Sequence, residues 1–227
     1  MKDWFPFTSY EFYAYVAAGI IVIAAVDYSF AGATLSGRPE WSAAQAVFWI
    51  LATYLVGQLI AAPSSAVLEH WIARKIFLPP IEVALRTTSR RKRELFVAYV
   101  FAYREYSPLP APMTEKIRQK ACSHLGISSE ELTAESIFEI AFSIARSNSD
   151  TDARLDQFLN LYGFSRNICF SAFVATLCLG IRAYHEPDRL TLLLLIGTAI
   201  LCIGMYGRFV KFYAAYSRDV LRTYSAM

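Results

Sequence analysis

Apolar residues occur in four long runs, which short polar turns join into pairs. The first run is FYAYVAAGIIVIAAVDYSFAGATL at residues 12–35, and the turn SGRPEW separates it from a second run at residues 42–62. A third run covers residues 167–184, and the turn HEPD separates it from a fourth at residues 190–209. Each run has about 18 to 24 residues, enough to cross a hydrocarbon core of about 30 Å as a helix. The pattern predicts four transmembrane helices in two hairpins.

The segment between the two pairs shows helical periodicity and no useful strand alternation. In TAESIFEIAFSIAR, for example, apolar residues recur on one helical face. We expect a helix to end at Gly126, where glycine can adopt a left-handed conformation. Candidate helix caps are Ser64 or Ser65, Thr114, and Ser149 or Asp150.

These patterns predict an all-α integral membrane protein with three parts. Residues 1–62 form an N-terminal transmembrane hairpin, residues 63–166 a helical cytoplasmic domain, and residues 167–227 a C-terminal hairpin with a cytoplasmic tail. The composition agrees, because 56% of the residues are hydrophobic and 15% are aromatic, which is high for a soluble domain. The net charge of +3 is too small to indicate a partner by itself.

Lysine and arginine are unevenly distributed around the predicted spans. They concentrate at the start of the central segment and in the C-terminal tail, whereas few occupy the two short turns. Because basic residues are enriched on the cytoplasmic side of membrane proteins, the central segment and both termini are predicted to be cytoplasmic.

No residue pattern indicates catalysis or a cofactor. The three histidines are not spaced as metal ligands, and no glycine-rich phosphate loop or nucleophile motif occurs. The four cysteines lack a CxxC pair, so we interpret them as reduced, packed thiols. We expect neither enzyme activity nor a bound cofactor or metal.

Asp27 is an ionisable residue inside the first apolar run. Such residues are costly in a bilayer and tend to face water, a partner or a bundle interior. One hypothesis is a polar stripe lining a water-filled path, formed by Asp27 with Gln45, Thr53 and Gln58 of the second run. The alternative is a hydrogen-bonded aspartate that only holds helices together. Both arms of this hairpin are rich in glycine and alanine, which favours close helix packing. Four helices enclose little space, so a conducting path would need several subunits.

The sequence from Ser149 to Tyr184 predicts one helix that passes from the cytoplasmic domain into the membrane. Gly163, Arg166 and Asn167 lie where it would enter the bilayer, and they are candidate coupling residues. The alternatives are a loop or kink at Gly163 and an Arg166 side chain that simply reaches lipid phosphates.

The run SRRKR at residues 89–93 follows Arg86 closely. If this segment is one helix, Arg86, Arg90 and Arg93 fall on one side, with Arg91 beside them, and could bind phosphates. The alternative is a basic juxtamembrane cluster that binds anionic lipid.

The stretches PSSAVLEHWIARKIFLPP and LDQFLNLYGFSRN, together with two membrane hairpins around a helical insert, resemble the membrane effectors of bacterial anti-phage systems, of the Hailong type. The resemblance implies a homo-oligomeric ion channel of the bacterial inner membrane that depolarises an infected cell. It also implies a regulatory DNA oligomer or nucleotide made by a partner nucleotidyltransferase. The partners expected are therefore the lipid bilayer, other copies of the chain and this oligonucleotide. A membrane-anchored scaffold or sensor that recruits a cytoplasmic protein, without conductance, is the alternative.

Overall fold

The described part of the chain is mostly helical. The computed structural model describes residues 9–35, 37–76, 78–86, 92, 96, 100, 105–147 and 149–227. No strand occurs among these residues, which confirms the all-α prediction. The elements in chain order are α1 (Ser9–Phe30), α2 (Ala43–Ser64), a π-helical segment (Ser65–Ile76), α3 (Pro80–Leu85), α4 (Ala111–Leu125), α5 (Ala134–Arg146), α6 (Ser149–His185) and α7 (Arg189–Ala226).

Three helical stretches in the described part of the chain are long and apolar enough to cross a membrane. They are Ala43–Arg74, Thr151–His185 and Arg189–Ala226, and they correspond to the second, third and fourth predicted runs, the second starting one residue later than predicted. The apolar part of α1 is shorter, at Ala14–Phe30. The first predicted run extends to residue 35, but the helix ends earlier because Gly32 and Ala33 both have positive φ, at 67° and 60°.

Contacts group the chain into two compact units. The first unit contains Met1–His70 and Gly163–Tyr206, and the second contains Trp71–Tyr162 and Gly207–Met227. The π segment, α6 and α7 each cross from one unit to the other along the chain. The sequence placed the C-terminal tail with the second hairpin, whereas in the structure the tail groups with the helices of the central segment.

In the first unit, α1 and α2 pack with their backbones in direct contact. A methyl group added at Gly19 would lie 1.8 Å from the carbonyl oxygen of Thr53. One added at Gly57 would lie 1.9 Å from the carbonyl oxygen of Tyr15. Only glycine permits this approach, so the expected close packing of these two helices is confirmed.

The second unit has its own apolar core. The apolar face of α5 enters it through Ile137 and Ala141, both at most 1% exposed, and Thr133 caps the start of that helix. The rest of the core comes from α3, the segment just before α4, α4 itself, the first part of α6 and the end of α7. The largest fully buried side chains of the core are Leu85, Leu109, Ile117, Ile137, Leu155, Leu221 and Tyr224.

Two of the expected helix caps are wrong. Pro63 lies inside α2, and the helical chain continues through Ser64 and Ser65. Neither serine therefore caps the start of a new helix. Thr114 lies inside α4, which begins at residue 111 after a proline N-cap. Gly126 ends α4 with φ at 66°, as predicted.

Candidate functional site

The second apolar helix changes its hydrogen bonding at one point. Pro63 has no backbone N–H to donate, and the π segment begins two residues later at Ser65. The Ser64 Oγ lies 2.8 Å from the carbonyl oxygen of Ala61. Regular α-helical hydrogen bonding therefore ends where the apolar sequence gives way to polar residues.

A group of polar side chains from α6 meets this point within the first unit. Arg166 Nη1 lies 3.0 Å from Glu69 Oε2, and the two side chains are only 17% and 18% exposed. The Ser65 hydroxyl donates to the same Glu69 oxygen at 2.9 Å. The amide oxygen of Asn167, which is 3% exposed, accepts a hydrogen bond from the Ser64 hydroxyl at 2.8 Å. We call these five residues the junction cluster.

The junction cluster contains two of the three predicted coupling residues, Arg166 and Asn167. Arg166 binds a protein carboxylate here, which differs from the expectation that it reaches only lipid phosphates. The third residue, Gly163, lies within α6, which continues unbroken from Ser149 to His185, so the chain does not form a loop there. Glu69 is the residue that the sequence did not single out.

The ion pair of the junction cluster is costly to break on one side only. Removing one partner of a buried pair leaves an uncompensated charge and typically costs about 3–5 kcal/mol, with less expected for a pair that keeps some exposure. Ionised residues beside membrane-spanning sequence and π-helical segments both occur preferentially at functional sites. Among the residues that the structure describes, the junction cluster is therefore the leading candidate site.

A second polar group, the turn cluster, joins α1 to the turn between α6 and α7. The Arg182 guanidinium donates to the carbonyl oxygen of Tyr28 and lies 4.4 Å from the centroid of its ring. The Tyr28 hydroxyl is 3.1 Å from Thr191 Oγ1. The Thr191 hydroxyl and backbone N–H both donate to Asp188, and these bonds hold the pKa of that carboxyl below its usual range. The sequence signal for this cluster was an aspartate three residues before a threonine at a helix start.

Asp27 is buried at the end of α1, with 4% of its surface exposed. Its carboxylate accepts hydrogen bonds from the Thr34 hydroxyl at 3.0 Å and from the Leu35 backbone N–H at 3.1 Å. These bonds fold the turn that follows the helix. Asp27 therefore has a structural role in this turn, whether or not it also lines a conducting path.

The other three pore candidates lie on α2 and do not share one face. Gln45 belongs to the capping box at the start of the helix, Thr53 is buried against α1, and Gln58 is exposed. At about 100° per residue, Thr53 is rotated by about 80° from Gln45 and Gln58 by about 140° from Thr53. A single polar stripe along α2 is not present, and pore lining by these residues stays a prediction.

The basic residues proposed to bind phosphate fall mostly outside the described residues. Arg86 is exposed and ends α3 in a left-handed conformation, with φ at 53°. The helix therefore stops at Arg86, and this residue does not continue one helical face toward the others as expected. Arg90, Arg91 and Arg93 lie outside the described part of the chain.

The second unit contains a cavity of about 280 Å³. In its wall, Arg74 and Glu135 form an ion pair at 3.4 Å. Three carboxylates and one guanidinium line the cavity, so its charge does not suit a phosphate. The lining residues are Arg74, Pro79, Ile81, Glu82, Glu135, Phe138, Glu139, Tyr213 and Ser217.

Metal chemistry and known relatives add no further assignment. The residues that the structure describes contain no group of three or more histidine, cysteine, aspartate or glutamate side chains placed to hold a metal ion. No protein-family model, curated protein or solved structure matches the chain.

Proposed function

We propose that the chain is a homo-oligomeric channel of the bacterial inner membrane, acting in anti-phage defence. A phosphate-rich regulator, a nucleotide or an oligonucleotide, controls it from the cytoplasmic side, and the open channel depolarises the membrane. The observation that carries the proposal is the Glu69–Arg166 ion pair, set where the second membrane helix loses its α-helical hydrogen bonding.

The topology proposed is four spans with both termini in the cytoplasm. α1 has 22 residues, which corresponds to about 33 Å at the standard helical rise and is sufficient to cross the hydrocarbon core. Its direct backbone contact with α2 at Gly19 and Gly57 supports a hairpin. The concentration of basic residues in the central segment and tail supports the orientation.

Oligomerisation follows from how little of the apolar surface one copy covers. In the most apolar 18-residue stretch of Ala43–Arg74 only 11% of the residues are buried, and in that of Arg189–Ala226 only 6% are buried. These surfaces are available to lipid and to other copies. Because four helices enclose little space, the conducting path would form between subunits.

The gate proposed is the junction cluster. A π segment has i→i+5 hydrogen bonds, and conversion to α-helical bonding would rotate every side chain that follows the change. Glu69 lies on that segment, so such a conversion would move its carboxylate relative to Arg166 on α6. The ion pair would then favour one of two discrete arrangements, which is the requirement for a switch.

The test is single-channel recording of the purified chain in planar bilayers. We expect discrete currents from the wild type and a changed open probability in Glu69→Gln and Arg166→Gln. A pair worth about 1.4 kcal/mol more in one state than in the other would change the closed-to-open ratio about tenfold. The open probability of the Glu69→Gln, Arg166→Gln double variant should differ from that of either single variant, because each single variant keeps one unpaired charge and the double variant keeps none.

Arg154→Gln provides the matched control. Arg154 pairs with Asp219 at 2.8 Å but is 53% exposed, so its loss should leave the open probability unchanged. Equal effects of the Arg154 and Arg166 variants would reject the junction cluster as the gate. Silence of every folded, oligomeric preparation, even after nuclease treatment and washing, would reject the channel and leave the scaffold alternative.

A further inference from the structure

Two cysteine side chains face each other between α6 and α7. Cys169 Sγ is 3.9 Å from Cys202 Sγ and 3.4 Å from the carbonyl oxygen of Cys202. Both thiols are free, and both lie in the apolar stretches of the first unit. The hydroxyl of Thr176 donates to that of Thr198 at 3.1 Å, which fixes the same two helices against each other nearby.

We propose that Cys169 and Cys202 are an oxidation site, which forms a disulfide between α6 and α7 when a lipid-soluble organic hydroperoxide reaches the apolar segment. A disulfide has an S–S distance of about 2.05 Å, so the two sulfurs must approach by roughly 2 Å. The proposal therefore requires that the two side chains rotate toward each other when the disulfide forms. The site does not depend on whether the chain conducts ions.

The reaction takes place in two balanced steps. The Cys202 thiol attacks the terminal oxygen of the hydroperoxide, and an S–O bond forms as the O–O bond breaks. The thiol proton passes to the leaving alkoxide oxygen, so the products are a sulfenic acid and an alcohol. The Cys169 thiol then attacks that sulfur, and the S–S bond forms as the S–O bond breaks, with release of water. The two thiols together lose two electrons, which reduce the peroxide.

The burial of the two thiols determines their roles. Cys169 is 1% exposed, whereas Cys202 is partly exposed, so the oxidant reaches Cys202 first. The apolar surroundings favour an oxidant that partitions into the membrane over one that remains in water. Exposed leucine and isoleucine side chains flank Cys202 on α7, including Leu201 and Ile203.

Cys178 supplies an internal control because it lies on the same helix as Cys169. It is nine residues further along α6, which rotates it by about 180° to the opposite side of the helix. It is partly exposed, as Cys202 is, so the two differ in whether a second thiol faces them and not in exposure. Cys178 therefore does not face Cys202 as Cys169 does, and we expect no disulfide between Cys178 and Cys202.

The experiment treats the full chain in lipid nanodiscs with cumene hydroperoxide, and in parallel with hydrogen peroxide at the same concentration. We expect the number of thiols that react with maleimide after unfolding to fall from four to two, and the monomer mass to fall by about 2 Da. Peptide mapping should recover Cys169 joined to Cys202. The organic hydroperoxide should react faster than hydrogen peroxide.

Substitutions decide between this site and general oxidation. Cys178→Ala should behave like the wild type, while Cys169→Ser and Cys202→Ser should each prevent the monomer disulfide. A chain with both Cys122→Ala and Cys178→Ala retains only the proposed pair and should still lose both thiols. Oxygen addition to that chain without a disulfide, or no reaction at all, would overturn the proposal. So would faster reaction with hydrogen peroxide.

Discussion

Replacement of Gly57 by alanine should weaken the packing of α1 against α2 by a predictable amount. The added methyl group would lie 1.9 Å from the carbonyl oxygen of Tyr15, whereas ordinary contact begins at 3.4 Å. The two helices must therefore separate by about 1.5 Å at this point. Overpacking of this kind costs about 1–3 kcal/mol, and the better helix propensity of alanine returns up to about 1 kcal/mol. We expect a net loss of about 1–2 kcal/mol.

Gly204 is the matched control because it is also a helical glycine in an apolar stretch. A methyl group there would meet nothing within 4 Å, so Gly204→Ala should be neutral or slightly stabilising. The free energy of unfolding can be compared by titrating detergent-solubilised protein with SDS and following tryptophan fluorescence. Trp41 lies just before α2 and Trp49 lies within it, so the tryptophan fluorescence reports on the packing of α1 against α2.

The double variant of Gly19 and Gly57 gives a sharper version of the same test. The two glycines contact the partner helix one turn apart, at Thr53 and Tyr15, so a separation caused by either methyl group makes room for the other. The double variant should then lose less than the sum of the two single losses. If Gly57→Ala is as stable as Gly204→Ala, the direct backbone contact is not present in the folded protein and the reasoning fails.

Three further predictions follow from other parts of the structure. Asp27→Asn should stay folded, because the amide oxygen can still accept the hydrogen bonds from Thr34 and Leu35, whereas Asp27→Ala should not stay folded. Altered ion selectivity in the asparagine variant would then measure the effect of the Asp27 charge alone. An unfolded asparagine variant would refute the capping role. Arg218→Ala should increase hydrogen exchange at residues 105–107, since Arg218 donates to the Ser107 carbonyl oxygen at 2.5 Å; unchanged exchange would contradict this. Replacing Arg90 and Arg93 by glutamate should abolish binding of a fluorescent DNA oligomer without affecting assembly. Lys116→Glu, at an exposed position of α4, is the control and should leave binding unchanged. Equal binding by the wild type and both variants would remove the basic run from the proposal.

The long apolar helices could be predicted because their signal is local. A run of about 20 apolar residues must be helical in a bilayer, whatever surrounds it, since no water is present to satisfy the backbone. This reasoning gave α2, α6 and α7. The end of α4 at Gly126 was likewise predictable, because the left-handed conformation depends on one residue alone.

The junction cluster could not be predicted because its members are far apart in sequence. Glu69 and Arg166 are 97 residues apart, and nothing local indicates that they meet. The cap expected at Ser64 or Ser65 predicted the start of a new helix, whereas the helical chain continues through Pro63 and both serines.

The turn cluster and the junction cluster of the first unit depend on helical segments with different hydrogen bonding. This difference indicates that movement should occur at the junction cluster. The turn cluster rests on the cap that Asp188 and Thr191 form at the start of α7, which α-helical geometry itself maintains. The junction cluster rests on Glu69, which lies on a π segment whose hydrogen bonding has an α-helical alternative. A conversion there would move one member of the ion pair, while the turn cluster would keep its contacts. We therefore expect cross-links that restrain the turn cluster to leave gating intact, and cross-links across the junction cluster to abolish it.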